Sequence, residues 1–418
     1  MIDRKTAPIL QEINQLQLVA PEKYAITEQV PLYYLENKHS EGFKLDIYFN
    51  GGFRSDNRLL AKMSNKLILS GTSTKTSTDI DNQIDVLGGF TGQEHTSEDA
   101  TISVLGQNKY FHELSNIVLD AIANAAVPSR DFNQVLATEK QRFIVQQQKV
   151  STQARRLFLQ ALYSGTFMSK LTETADYDMI DRQEVIDFIA ANYKKGLLKV
   201  TLIGNISAKK RTMFIQQLQQ FCGPIKNQPV LKLATKSTLK HHEILNKVQS
   251  AIRIGKPLFN RTHEDYPKFV LLNTLLGGYF GSRLMKNIRE DKGLTYGIGS
   301  GIAQAFDHGY FFISTEVNKE KREEAIELIL AEIELLQQEK VSEEELRIVK
   351  NYSIGQLLKN SDGPFAQMDR FLAVEKLGMS LDYYTVLLQA FKSCTADDII
   401  TLASRHLNRN DIIVCSAG

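Results

Sequence analysis

An arginine and a tyrosine, Arg289 and Tyr296, lie seven residues apart in the segment SRLMKNIREDKGLTYGIGSG (282–301). The spacing predicts a helix over SRLMKNIRED, with Leu284, Met285 and Ile288 on one face and Ser282 as its N-cap. Gly293 would end that helix and a strand would begin at Leu294. Arg289 near the helix end and Tyr296 at the strand start would then point into one space. A guanidinium offers a fixed fork of donors, and a phenol hydroxyl can donate to a developing oxyanion. Plainer uses exist for both. Arg289 could pair with Glu290 or Asp291, and Tyr296 could be half-buried packing.

Other candidate chemistry is weaker. No His-x-x-x-His pair occurs. QEHTSED (93–99) gathers Glu94, His95, Glu98 and Asp99, a possible carboxylate site for a metal. Its position between Gly89 and a strand reads instead as solvated turn or edge strand. His241-His242-Glu243 and His263-Glu264-Asp265 read as surface residues, the second as an acidic cluster at a helix N-terminus. The three cysteines, Cys222, Cys394 and Cys415, form no CxxC and no even framework, so they read as reduced, buried thiols. GGYFGS (277–282) has the glycines of a phosphate loop at the wrong spacing, and neither GK[ST] nor GxSxG occurs.

The elements that must position these residues follow from periodicity. PLYYLEN (31–37) and FKLDIYF (43–49) alternate as strands, and helices follow at about 58–70 and 78–87, the latter stopped by Gly88 and Gly89. DATISVLG (99–106) is a strand, helices run from about 109 to 125 and from 131 to 194, and KVTLIGNI (199–206) is a buried strand before a helix to about 221. After residues 222–242, rich in Gly, Pro and basic residues, the order recurs. AIRIGKPLF (251–259) and GYFFISTEV (309–317) are strands, DYPKFVLLNTLLG (265–277) is helical, long helices follow at about 319–338 and 342–360, and DIIVCSA (411–417) closes. ELSNIVLDAI (113–122) matches EAIELILAEI (324–333) at an offset of 211 residues, and SRDFNQVLATEKQRFIVQQQ (129–148) matches VSEEELRIVKNYSIGQLLKN (341–360) in role. An offset of half the chain means duplication of a whole domain. The expected architecture is α+β: two homologous domains, each a mainly antiparallel sheet with helices packed on it, arranged as a clam shell. The expected boundaries are 1–222, a linker at 223–240, and 241–418, with a ligand site between the halves.

Composition agrees with this. A chain of 418 residues exceeds one ordinary core. A net charge of +2 gives no global field for nucleic acid or anionic lipid. The first residues lack a continuous apolar core of a secretory signal, and no apolar run approaches a bilayer span of about 20 residues. The expectation is a cytoplasmic protein without membrane or nucleic-acid partners.

GGYFGSRLMKNIREDKGLTYGI (277–298) resembles the C-terminal-domain signature of the insulinase/pitrilysin (inverzincin) metallopeptidase family, which includes the mitochondrial processing peptidase and bacterial two-subunit zinc peptidases. The likeness covers nearly the whole chain, duplication included. It implies that Arg289 and Tyr296 match the arginine and tyrosine that contact bound peptide near the scissile bond. Active members carry H-x-x-E-H on the helix after the second strand, two histidines for zinc and a glutamate as general base. Here that helix must be RLLAKMSNKLILSGTST (58–74), which puts Lys62, Asn65 and Lys66 at the three positions. In ATEKQRFIVQQQ (137–148), Glu139 matches the first glutamate of the family's second-ligand helix and Gln146 stands where the ligand glutamate belongs. An ammonium has no lone pair for a metal, and Asn65 cannot take a proton from water.

The resemblance therefore implies a chain that is inactive alone, with no cofactor of its own. Its expected role is the non-catalytic, substrate-binding subunit of a zinc metalloendopeptidase. Arg289 and Tyr296 would complement an active site whose zinc sits on a homologous partner in a heterodimer, with self-association of the isolated chain as a variant. Two alternatives stand beside it: a purely structural subunit like the core proteins of the respiratory cytochrome complex, and an independent hydrolase with a relocated metal near His95.

Overall fold

A computed structural model describes residues 13–53, 58–224, 233, 237–305 and 307–418. The first half builds a six-stranded sheet from β1 (Glu22–Ala25), β2 (Pro31–Glu36), β3 (Gly42–Phe49), β4 (Phe90–His95), β5 (Ala100–Gln107) and β6 (Leu197–Gly204), in the order β1-β2-β6-β3-β5-β4. The second half builds a five-stranded sheet from β7 (Thr238–His242), β8 (Gln249–Leu258), β9 (Thr295–Ala305), β10 (His308–Asn318) and β11 (Ile413–Ala417), in the order β7-β11-β8-β10-β9. Without β1 the two orders are the same. In each sheet the final strand runs parallel to the first of the shared five, β6 beside β2 and β11 beside β7, and every other pairing is antiparallel. The protein is an α+β duplication.

Each sheet is covered by helices, most of them from its own half. Before β6 these are α1 (Arg58–Leu67), α2 (Ser77–Val86), α3 (Phe111–Ala123), α4 (Ser129–Gln147), α5 (Val150–Leu162), α6 (Asp176–Met179) and α7 (Arg182–Asn192), with α8 (Ala208–Leu218) following. The second set is α9 (Tyr266–Asn273), α10 (Arg322–Gln338), α11 (Glu343–Lys359), α12 (Gly363–Glu375), α13 (Asp382–Ser393) and α14 (Ala396–His406). Alternation on the strands decides which residues go inward: Phe43, Leu45, Ile47 and Phe49 of β3 join the first core, Ile252, Ile254, Phe311 and Ile313 of β8 and β10 the second.

Two helices cross between the halves. Helix α5 presents Val150, Ala154, Phe158 and Leu162 at helical spacing and buries them on the second sheet, against Ala251, Ile413, Cys415 and Ala417. Its counterpart α12 lays Met368, Phe371 and Leu372 on the outer face of the first sheet, against Tyr33, Leu35 and Ile203. Tyr33 donates to Glu375 at 2.7 Å and meets Phe371 edge-on. Burial of each large apolar side chain is worth about 1.5–3 kcal/mol, so this reciprocal cover binds the two halves into one clam shell. Strand β7 occupies the end of the stretch read as a linker, and most of the remainder of that stretch lies outside the described residues. Among the described residues no helix is long and apolar enough to cross a membrane.

Candidate functional site

Helix α1 and helix α4 bring four charged side chains together. Lys62 and Lys66, one turn apart, reach Glu139 with Nζ–Oε distances of 2.7 and 3.3 Å. Arg142, one turn along α4, adds a third contact at 2.9 Å. Glu139 is 4% exposed. Burial alone would raise its carboxyl, but the hydrogen bond and charge of Lys62, followed by the charge of Lys66, outweigh this and hold it below the usual carboxylate range. Lys62 shifts the other way: burial pulls the ammonium down, and the Glu139 hydrogen bond with the neighbouring Tyr177 more than restores it. Lys62 also donates to the Tyr177 hydroxyl at 3.4 Å. His95, at the end of edge strand β4, feels the same lysines, and its imidazole is pushed below the usual value by burial first and the two ammonium charges second.

Between the lysines in sequence, Asn65 is 1% exposed and donates from Nδ2 to the Glu94 carbonyl at 3.1 Å, tying α1 to β4. Gln146 does not join the cluster. It is exposed near the end of α4, about 10 Å beyond Glu139 along the axis. The carboxylate that faces Lys62 and Lys66 is Glu139, the residue matched to the first glutamate of the family's second-ligand helix.

The second-half pair is assembled differently. Instead of the expected α-helix, residues Met285–Asp291 form a π-helical turn, with Lys292 N–H reaching the Asn287 carbonyl and Leu294 N–H the Ile288 carbonyl, both at 3.0 Å. Ser282 is buried with its hydroxyl unbonded, so it does not cap this helix. Gly293, at φ +63, reverses the chain as expected and delivers it into β9. The wide turn aims Arg289 at that strand: its Nε donates to the Tyr296 carbonyl at 3.0 Å, and its guanidinium lies 5.0 Å from the Phe280 ring centre. The expected rival Glu290 sits at 3.9 Å, a loose contact. Tyr296 is not half-buried packing. The residue is 95% exposed at the sheet edge, where β9 is paired on one side only among the described strands. Tyr296 also borders a cavity of about 560 Å³ between α5 and the second sheet.

The remaining candidates disperse. In QEHTSED, Thr96 holds the turn by accepting from the Glu98 and Asp99 amides, Glu98 pairs with Lys376 at 3.1 Å, and Glu94 is exposed. Asp265 is not a solvated acid at a helix start but pairs with His406 at 2.7 Å and Arg405 at 2.9 Å. His263 stacks on Phe259, and His241 bonds Ser416, Glu243 and Arg322. Cys394 and Cys415 are buried, their thiols pushed up to about 11 and about 12 by burial, and Cys222 is half-buried. Among the described residues no three His, Cys, Asp or Glu side chains converge to hold a metal ion. Arg253, in the cavity beside Tyr296, was missed by the reading of the sequence. Its signal was an arginine between two isoleucines in the strand AIRIGKPLF.

Residues 179–352 match the family described as "Peptidase M16 inactive domain". An uncharacterized zinc protease of Rickettsia felis is 23% identical over 356 residues, 81% of this chain and 82% of that protein. One of Bacillus subtilis is 22% identical over 368 residues, 84% of this chain and 86% of that protein. The crystal structure of a peptidase M16 inactive domain from Pseudomonas fluorescens superposes with a TM-score of 0.84 at 20% identity, over 96% of this chain and 98% of the other. A chain of complex III2 from Candida albicans superposes with a TM-score of 0.73 at 13% identity, over 95% of each.

Proposed function

Because the chain belongs to the insulinase-type M16 peptidase family and lacks its zinc motif, we propose that it is a non-catalytic, peptide-binding subunit completing the active site of a zinc-bearing homologous partner. The observation that carries this reading is Tyr296: a fully exposed ring on an edge strand, its backbone held by Arg289. An extended peptide would add to the free edge of β9 through main-chain hydrogen bonds, which give affinity with little demand on sequence. Hydrolysis builds negative charge on the peptide carbonyl oxygen. The partner's zinc would take part of that charge and the Tyr296 hydroxyl would donate to the rest. Arg289 spends Nε on the strand and leaves its terminal nitrogens for the peptide's carbonyls. In this reading the pair works as a heterodimer in the cytoplasm, and the zinc belongs to the partner. In this chain Lys62 and Lys66 already supply positive charge to Glu139, and an ammonium cannot ligate a metal.

The test is co-purification from native extract, identification of a partner carrying H-x-x-E-H, and steady-state kinetics of the reconstituted pair. Tyr296→Phe should lower kcat/KM by about 100-fold or more, the usual loss for one oxyanion donor. Arg289→Ala should raise KM as well as lower kcat. The Lys62–Glu139–Lys66 cluster, in which each lysine already has a carboxylate partner, favours a second reading, a structural subunit with no bound peptide, in a fold shared with the complex III2 chain. Unchanged kcat/KM in both variants would establish that one instead.

A further inference from the structure

The cavity beside Tyr296 contains an electrostatic debt. Helix α5 closes it on one side and β8, β9 and β10 on the other. Arg253 enters from β8 and Arg155 from α5. Neither is hydrogen-bonded or ion-paired to any described residue, and the Nε of Arg253 is buried with no acceptor. A buried donor left unpaired costs about 1–3 kcal/mol, more for a charged group, and calls for a ligand or a structural reason. Burial, followed by the nearby charge of Arg155, lowers Arg253 to about 10. The guanidinium is nonetheless well placed, lying 3.8 Å from the Phe312 ring centre, which fixes the plane of its fork. The first turn of α5 also faces the cavity through Ser151 and Thr152. Its N–H groups lack intrahelical acceptors and carry the positive end of the helix dipole. One acid, Glu316, shares the lining and forms no ion pair with either arginine.

We propose that this cavity captures the terminal carboxylate of a peptide whose preceding residues lie along β9 past Tyr296. The inference rests on the peptide-binding reading and adds to it a polarity, with the carboxyl end of the peptide toward α5. A carboxylate meets a guanidinium fork in plane through two parallel hydrogen bonds, and it can also accept from the amides of a helix's first turn. The volume suits the last few residues of a chain rather than a large ligand.

The experiment uses the full chain and a short fluorescein-labelled apolar peptide, prepared as the free acid and as the C-terminal amide, with binding read by anisotropy. The acid should bind at least about tenfold more tightly than the amide. Arg155→Gln, at an exposed helical position, and Arg253→Lys, which keeps the charge and removes the fork, should each reduce the ratio of acid to amide affinity, and an undiminished ratio in both variants would overturn the site. Acid and amide binding alike would overturn the carboxylate site while leaving peptide binding intact. Competition by inorganic phosphate without any acid preference would overturn it in favour of a site for free anions. Binding of neither peptide would overturn it as well, and the kinetics of the reconstituted pair would still judge the peptide-binding reading separately.

Discussion

The two halves share one strand order, yet they treat charge in opposite ways at their candidate sites. In the first half, Lys62 and Lys66 close on a buried Glu139, and Asn65 is spent on a backbone carbonyl. In the second half, Tyr296 is left in solvent and the neighbouring arginines of the cavity have no acceptors. A site whose charges are all paired contributes to folding and offers nothing to a ligand. An exposed group is free to meet a ligand, and a buried unpaired one bears a cost in the free protein that a ligand can relieve. On the proposed reading, the first site serves stability and the second binding.

The largest expected effect tests how much of a metal site survives under the lysine pairs. In the triple variant Lys62→His, Asn65→Glu, Lys66→His, two imidazoles at i and i+4 would face Glu139, the ligand set of a zinc hydrolase. Elemental analysis after dialysis should find about one zinc per chain in the variant and none in the parent. If zinc is held only after Gln146→Glu is added, the carboxylate that matters is the one two turns further on, and the geometry around Glu139 is incidental.

Next in size is a difference in stability between the two sites. Glu139→Gln leaves two lysines and Arg142 around a neutral amide, and should cost about 1–3 kcal/mol in urea unfolding, toward the low end because Lys66 and Arg142 are partly solvated. Tyr296→Phe removes an exposed hydroxyl and should shift stability by less than about 0.5 kcal/mol. Equal losses would erase the distinction between a folding site and a binding site.

Much of this was legible in the sequence, because strand alternation and helix periodicity report burial directly. Phe43 to Phe49 and Ile252 to Ile313 went where their spacing sent them. The exchange of α5 and α12 was not legible. The stripe Val150, Ala154, Phe158, Leu162 declares a buried face but not which of two similar sheets will cover it. The π turn at Met285–Asp291 was hidden for a related reason: one extra residue per turn leaves the apolar face nearly unchanged over so short a segment while redirecting Arg289. The pairing of Glu139 rather than Gln146 depends on how α4 crosses α1, which helical spacing within either helix does not fix.

The smallest effect is the part of the pH dependence of stability that the first site contributes. The folded state holds His95 below its usual value of 6.5, through burial and then the charges of Lys62 and Lys66. As pH falls below 6.5, the unfolded chain takes up a proton that the folded chain refuses, so stability declines until the folded imidazole titrates in turn. Glu139 adds a second stage. Its folded carboxyl lies below the usual 4.5, so its contribution is full above that value and is lost as pH falls through the lower folded value. Lys62, raised above 10.5, acts only in alkali, where its contribution is lost as pH rises through the folded value. His308 and His406 are also depressed and share the first stage, so the informative quantity is the difference between the parent and His95→Gln. Urea midpoints measured from pH 8 to pH 4 should fall less steeply in His95→Gln than in the parent between 7 and 5. In Glu139→Gln the drop below 4.5 should shrink. The drop nearer 6 should grow, because Glu139 is the one neighbour that raises His95, and without it the lysines hold the imidazole lower still. A first stage that Glu139→Gln leaves unchanged would mean that His95 and the lysine cluster titrate independently, and that the first site is not the single electrostatic unit its distances describe.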